Sequence, residues 1–444
     1  MAVVRPDREK SRRIVGTTLY WVGMACGAIL LSVIFIAPAL FSDSGSEELE
    51  AMGIGALLAI PPLVVYLSLP LLLDRYDPEP WWYLVAILGW GGIAAIGFAG
   101  AINTGVDAVF SSLFGSDVGS AVTACVCAPF VEEFWKGLGI FGVFVFLRRD
   151  FDGVVDGIVY ATFCALGFAA IENITYYSRA ALVDHGMGEA LTGTVFMRAV
   201  LAPWGHPLYT AMTGIGFGIS RETTKGWLRW MAPIGGYLCA VFLHSTWNTA
   251  ATLSGFLVVI MLPLWFLLVA SFLGIWIWLV RRKGRIIRDH LKDEVLLGNM
   301  TPWELDLSCS AFARMRAQAR YGGAPGRSFV KAAARLGLSK WHAARAMKGR
   351  KMTVSADWIV PLRQELFALR EEIAQKFGGN IQRPQAWQPP PAQAYPPQGY
   401  GQPQQAYPPR GGGGGGYPPA GGGGGGYGQG GGGGGYPPPG GYGR

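Results

Sequence analysis

The chain has 444 residues, a formal net charge of +8, 51% hydrophobic residues and only 15% charged ones. Soluble domains carry about 25% charged residues, so the composition excludes an enzyme solvated by water throughout and points to a bilayer as the main solvent. The six cysteines exclude a disulfide scaffold: five fall in apolar segments (Cys26, Cys125, Cys127, Cys164, Cys239), Cys309 lies in a polar region, and all read as small buried hydrophobes. Cys125 and Cys127 have no second Cys/His pair at zinc-site spacing, which excludes a cysteine metal site.

Apolar runs of about 20 residues or more recur between Ile14 and Val280, each long enough to cross a hydrocarbon core of about 30 Å. Arg5, Arg8, Lys10, Arg12 and Arg13 precede the first run. Ala37-Pro38-Ala39 has the look of a cleavage site, yet the run from Ile14 to Ile36 is longer than the apolar core of a signal peptide, so it is predicted to be a retained first span. Eight spans are expected in all, over about 14–41, 53–73, 81–102, 119–147, 153–178, 194–220, 228–252 and 255–280. Connections rich in Lys and Arg alternate with connections that hold few or none, which predicts that both termini face the cytoplasm of a cell with this protein in its plasma membrane.

The expected organisation is therefore an all-α polytopic bundle: a basic cytoplasmic N-terminus over 1–13, a transmembrane domain over 14–280, a basic helical cytoplasmic region over 281–380 and a disordered tail over 381–444. In the third part Leu305, Phe312 and Met315 recur at helical spacing. Ala332–Ser339 has a helix-turn-helix pattern, but an amphipathic hairpin lying against anionic lipid is the preferred reading, and no nucleic-acid partner is expected. The Gly/Pro/Tyr/Gln-rich tail cannot bury a core; it is expected to recruit partners by flexible contacts.

Ionisable groups inside a bilayer are costly and need a partner or a purpose. Four consecutive spans carry them: Glu132, Glu133 and Lys136 in the fourth, Glu172 and Asn173 in the fifth, His206 in the sixth, His244 and Asn248 in the seventh. Measured at 1.5 Å per residue from the cytoplasmic end of each span, Glu132 lies about 22 Å deep, Glu172 about 28 Å, His206 about 21 Å and His244 about 22 Å. Antiparallel spans thus bring their polar groups to one layer, somewhat outside the bilayer centre, as a single site requires and independent ion pairs do not.

Spacing adds chemistry. Glu132 and Lys136 share a helix face, with Glu133 about 100° away, so the lysine can neutralise one carboxylate while the other takes a proton from water. His244 and Asn248 also share a face and together can donate hydrogen bonds to an oxyanion. Phe168 shares a face with Glu172 and is expected to cover it from lipid. His185, His290 and His342 read as surface residues, and Asp156 as an end-of-helix charge.

The set E-E-x-x-K (Glu132 to Lys136), F-x-x-x-E-N (Phe168 to Asn173), intramembrane His206 and H-x-x-x-N (His244 to Asn248) resembles the PrsW family of intramembrane proteases, as does Asp74-Arg75-Tyr76-Asp77-Pro78-Glu79-Pro80 before the third span. That family is related to the CPBP group, which includes CAAX-prenyl endopeptidases and usually has His where this chain has Glu172. The resemblance covers about residues 53–280. It implies peptide-bond hydrolysis in the membrane, with Glu132 as general base, Glu133 supporting it, Glu172 and His206 orienting water or shuttling protons, and His244 and Asn248 stabilising the oxyanion. It further implies a single-span substrate such as an anti-sigma factor, cut on the outer side. A glutamic mechanism without cofactor is preferred; zinc held by Glu132, Glu172, His206 and His244 stays open, although no H-E-x-x-H pair is present. A proton-coupled transporter and a non-catalytic scaffold are the alternatives from other classes, and no inverted repeat supports the first.

Overall fold

In a bilayer every backbone N–H and C=O must find its partner within the protein, and the long apolar runs of this chain accordingly close as helices. The computed structural model describes residues 6–148, 150–310, 312–348 and 354–377, and the regular structure among them is helical throughout. The tail expected to be disordered from residue 381 lies outside the described residues.

Helix α1 (Pro6–Leu31) passes through a π-helical turn (Ser32–Ile36) into α2 (Ala37–Phe41), and α3 (Gly45–Leu73) follows. Next, α4 (Trp81–Gly89), a π turn (Trp90–Ala95) and α5 (Ile96–Phe114) form one continuous rod. Then α6 (Ser116–Val122) leads through another π turn (Thr123–Cys127) into α7 (Ala128–Phe146), and α8 (Val154–Val183) runs back. Helix α9 (Glu189–Phe196) ends in a π turn (Met197–Leu201), and α10 (Gly205–Glu222), α11 (Gly226–Leu253) and α12 (Gly255–Leu296) complete the bundle.

Five stretches are long and apolar enough, by length and composition, to cross a membrane: Ser11–Phe41, Gly45–Leu73, Trp81–Phe114, Val154–Val183 and Gly255–Leu296. The other three expected spans are helical as α7, α10 and α11. They carry the polar residues singled out from the sequence, which lowers their hydropathy. Two boundaries differ from expectation. The connection expected around 103–120 is almost entirely helix, interrupted at Gly115, whose φ of +84° suits a residue without Cβ. The sixth span is not one rod: it breaks at residues 202–204, directly before His206. Pro207 sits in the first turn of α10, where its missing N–H costs nothing, so the proline starts a helix rather than kinking one.

Helix α8 is the axis of the molecule, with nearly all of its first half buried. Small residues let neighbouring backbones touch it. A Cβ on Gly157 would stand 2.1 Å from the Gly214 carbonyl oxygen of α10, and one on Gly91 would stand 1.9 Å from the Cys164 carbonyl oxygen. These crossings fix α8 and α10 side by side with their polar residues facing each other.

Beyond the bundle, α13 (Pro302–Ser308), α14 (Ala313–Tyr321), α15 (Gly323–Lys348) and α16 (Ile359–Phe377) pack around the end of α12. Glu294 of α12 binds Lys340 at 2.7 Å and Arg363 at 2.6 Å, and Arg370 pairs with Glu304. Ala332–Ser339 lies inside α15 with no turn, which removes the helix-turn-helix pattern. Helix α12 continues sixteen residues past the expected end at Val280. His342 is more enclosed than a surface residue, and burial pushes its pKa down to about 4. The six cysteines are free, but Cys26 and Cys239 are exposed rather than buried, because they lie on faces turned away from the protein.

Candidate active site

Helix α7 buries Glu132, Glu133 and Lys136 together. The Lys136 ammonium lies 2.9 Å from Glu133 Oε1 and 3.6 Å from Glu132 Oε2. Its Nζ also stands 3.8 Å above the Phe168 ring, so this phenyl group covers the lysine rather than Glu172. Glu133 is saturated: Oε1 accepts from Lys136 and faces His244 Nδ1 at 3.1 Å, while Oε2 accepts from Thr210 Oγ1 at 2.8 Å. Glu132 is different. Its Oε1 accepts a long 3.4 Å bond from Asn103 Nδ2, and its buried Oε2 has no hydrogen-bond partner. The nearest imidazole nitrogen, His244 Nε2, is 3.9 Å from that oxygen.

Hydrogen-bond valence sets the tautomers. Lysine can only donate, so His206 Nδ1, 3.0 Å from Lys136 Nζ, is an acceptor. In neutral His206 the proton is then on Nε2, which donates to Glu172 Oε2 at 2.8 Å. A carboxylate can only accept, so His244 donates from Nδ1 to Glu133 and, when neutral, turns an Nε2 lone pair toward Glu132. The same Glu172 oxygen also accepts from Arg198, which donates from Nε to Asn173 Oδ1 at 2.6 Å and stacks over the Tyr176 ring.

Glu132, Glu133, Lys136, Phe168, Glu172, His206 and His244 thus meet from α7, α8, α10 and α11, with Asn173 one bond removed through Arg198. Asn248, one turn along from His244, donates to the Ala124 carbonyl at 2.9 Å. Three members were not read from the sequence. Arg198 is a lone arginine within an expected span, a signal as costly as any acid. Thr210 is four residues after His206, on the same face. Asn103 fell at the end of an expected span and gave no signal.

Among the described residues, Glu132, His206 and His244 could hold a metal, their donor atoms lying within 4.8 Å of one another. Two imidazoles and a carboxylate leave a fourth position for water, the pattern of a catalytic zinc, and the unpartnered Glu132 Oε2 is a ready donor. The residues fit a zinc ion, provided that Lys136 gives up His206 Nδ1. Glu172, also expected among the ligands, is engaged by Arg198 and His206 instead.

A second buried charged cluster lies at the other end of α8. Asp156 accepts from the backbone of Asp152 and Gly153 and binds Lys283 of α12 at 2.8 Å, so it is both a helix cap and half of a buried ion pair. Glu79 accepts from the Tyr160 hydroxyl at 2.6 Å, and Asp74 accepts from the Glu79 backbone at 2.7 Å. Asp77 binds Arg335 of α15 at 2.9 Å. Burial pushes the pKa of Asp74 up to about 7, opposed by Lys283 and aided by Asp156, and burial raises that of Glu79 well above the ordinary carboxylate range.

The chain is similar to known proteins over part of its length. Residues 79–285 match the family model described as PrsW family intramembrane metalloprotease. The chain is 28% identical over 199 residues to the Protease PrsW of Geobacillus kaustophilus (strain HTA426), covering 43% of this chain and 76% of that protein. It is 29% identical over 171 residues to the Protease PrsW of Oceanobacillus iheyensis, covering 37% and 69%. Against the Protease PrsW of Bacillus subtilis (strain 168) it is 28% identical over 213 residues, covering 46% and 85%. No solved structure matches the chain significantly. Helices α13 to α16 lie beyond the matched segment. With its apolar helices and this shared segment, the chain is an integral membrane protein that resembles the PrsW family of intramembrane proteases over residues 79–285.

Proposed function

We propose that the chain is an endopeptidase that hydrolyses a peptide bond of a single-span membrane protein, of the anti-sigma-factor class, with a water activated by Glu132. The observation that carries this reading is the buried Glu132 Oε2 without a hydrogen-bond partner, facing an imidazole nitrogen across 3.9 Å. A water between them would be held by both groups. Glu132 takes its proton as the water oxygen attacks the scissile carbonyl carbon, then returns that proton to the leaving nitrogen as the C–N bond breaks. His244 orients the water through its Nε2 lone pair, and Asn248, after release from Ala124, donates to the developing oxyanion. Glu133 fixes the His244 ring, while Lys136 balances the two α7 carboxylates. Glu172, with Asn173 and Arg198 behind it, orients His206 and keeps its Nδ1 toward Lys136. Phe168 shields that ammonium.

A second reading, zinc-dependent hydrolysis, is favoured by the proximity of Glu132, His206 and His244. Zinc bound there would lower the pKa of its water and polarise the carbonyl. We favour the metal-free reading because a buried ammonium 3.0 Å from a ligand nitrogen already supplies the positive charge. Zinc content of purified, active protein separates the two: stoichiometric zinc surviving chelator washes establishes the metal enzyme.

The alternation of basic connections supports cytoplasmic termini in the plasma membrane, and a site shifted outward from the bilayer centre suits a cut on the outer side. The segments over 1–13, 14–280, 281–380 and 381–444 would then serve as a basic cytoplasmic N-terminus, the protease, an accessory helical region and a tail that recruits partners. The test is co-expression with single-span anti-sigma factors. Glu132→Gln is expected to abolish the cleaved product; cleavage at the wild-type rate in that variant overturns the mechanism.

A further inference from the structure

Several helix ends converge on one side of the bundle and bring arginines with them. Gly16 of α1 packs on Phe146 at the end of α7, so close that a Cβ would stand 2.6 Å from the Phe146 ring. Arg12 lies one turn before Gly16, and Arg148 two residues after Phe146. Arg221, near the end of α10, donates to the Phe144 carbonyl at 2.5 Å and stacks on the Phe144 ring. Ser220 Oγ donates to the Arg229 carbonyl at 2.7 Å, which ties the start of α11 to the same corner.

Arg12, Arg148 and Arg229 are exposed, and none has an ion-pair partner among the described residues. Partial burial, and then the like charges of Arg12 and Arg229, lower the Arg148 pKa, so both of those guanidinium groups lie near enough to act on Arg148. Behind them, the buried Nε of Arg221 has no hydrogen-bond partner. This convergence of unneutralised cations needs an anion.

What lies alongside says which anion. Phe134 and Phe141 stand on one face of α7 and are 52% and 45% exposed. Gly142, next to Phe141 on α7, faces open space. Trp227 and Trp230 flank Arg229 and are 65% and 75% exposed, as expected of aromatic residues at a membrane–water interface. A free phosphate would use the arginines and ignore the strip. A phospholipid uses both, its phosphate among the guanidinium groups and an acyl chain along the phenyl rings.

We propose that the corner formed by Arg12, Arg148 and Arg229, with the apolar α7 strip beside it, is a binding site for an anionic phospholipid. The same helix carries Glu132, Glu133 and Lys136, so the lipid lies against the outer face of the helix whose inner face bears the site.

The test is native mass spectrometry of the full chain in detergent, titrated with phosphatidylglycerol, phosphatidylcholine or inorganic phosphate. Phosphatidylglycerol is expected to be retained and phosphatidylcholine lost. In the double variant Arg148→Ala/Arg229→Ala, affinity is expected to fall about thirtyfold, from roughly a fivefold loss per arginine. The Lys/Lys double variant should keep most of the binding, and Arg281→Ala/Arg285→Ala, at exposed positions on α12, should bind like wild type. Arg229→Ala alone, a change at an exposed side chain, gives the same reading if the double variant folds poorly. Equal retention of the two lipids, undiminished binding in Arg229→Ala, or displacement of the lipid by millimolar phosphate alone would each overturn the proposal. None of these outcomes depends on the protease mechanism.

Discussion

The two buried charged clusters on α8 have similar ingredients and different accounts. Around Asp156 and Lys283, the carboxylates and the ammonium pair off and receive backbone or hydroxyl donors. Around Lys136 the pairing is just as dense on the Glu133 side, but open around Glu132, where Glu132 Oε2 and His244 Nε2 face each other without a bond and Asn103 Oδ1 is also unpartnered. A closed network holds helices together. An open one, with every neighbour fixed, is prepared for a reactant, because the surrounding dipoles need not reorganise when charge develops. Burial of charge alone does not identify chemistry; the incomplete pairing does.

Removing a cation should therefore hurt in both clusters, but in different currencies. The largest effect is expected from Lys136→Met, which leaves Glu132 and Glu133 buried without their cation. A stability loss of about 4 kcal/mol should accompany loss of cleavage, measured by denaturation in micelles and by product formation. Lys283→Met removes the partner of Asp156 and should cost about 3 kcal/mol, while cleavage per folded molecule stays near wild type. If Lys283→Met instead abolishes cleavage without unfolding, the second cluster is not merely structural.

The smallest effect concerns pH. Asp74 has a folded pKa raised to about 7 by burial, so the folded state holds its proton more tightly than the unfolded chain. Its contribution is present in full below the ordinary carboxylate range and is lost as pH rises through about 7. Thermal stability should decline across that window, and Asp74→Asn should flatten the decline. An unchanged slope in the variant would assign the titration to other groups.

The polar layer was legible because a bilayer makes each ionisable residue conspicuous, and helix rise converts position into depth. Glu132, Glu172, His206 and His244 could be aligned from span ends alone. What could not be read was pairing. Nothing in the spacing says that Lys136 prefers Glu133 to Glu132, since both lie within one turn; the choice depends on Thr210 and His244 closing around Glu133. The break before His206 was hidden because Ala202-Pro203-Trp204 is as apolar as a span. Lys283 and Asp156 are 127 residues apart, and no local pattern links them.

The central claim, that Glu132 reacts while Glu133 holds the site together, is tested most directly by measuring melting temperature and substrate cleavage in parallel for Glu132→Gln and Glu133→Gln. Glu132→Gln is predicted to melt near wild type and to lose cleavage about a thousandfold. Glu133→Gln, which strips Lys136 and His244 of their shared acceptor, is predicted to melt well below wild type. A Glu132→Gln protein that still cleaves at full rate, or that is destabilised as much as Glu133→Gln, would contradict the account.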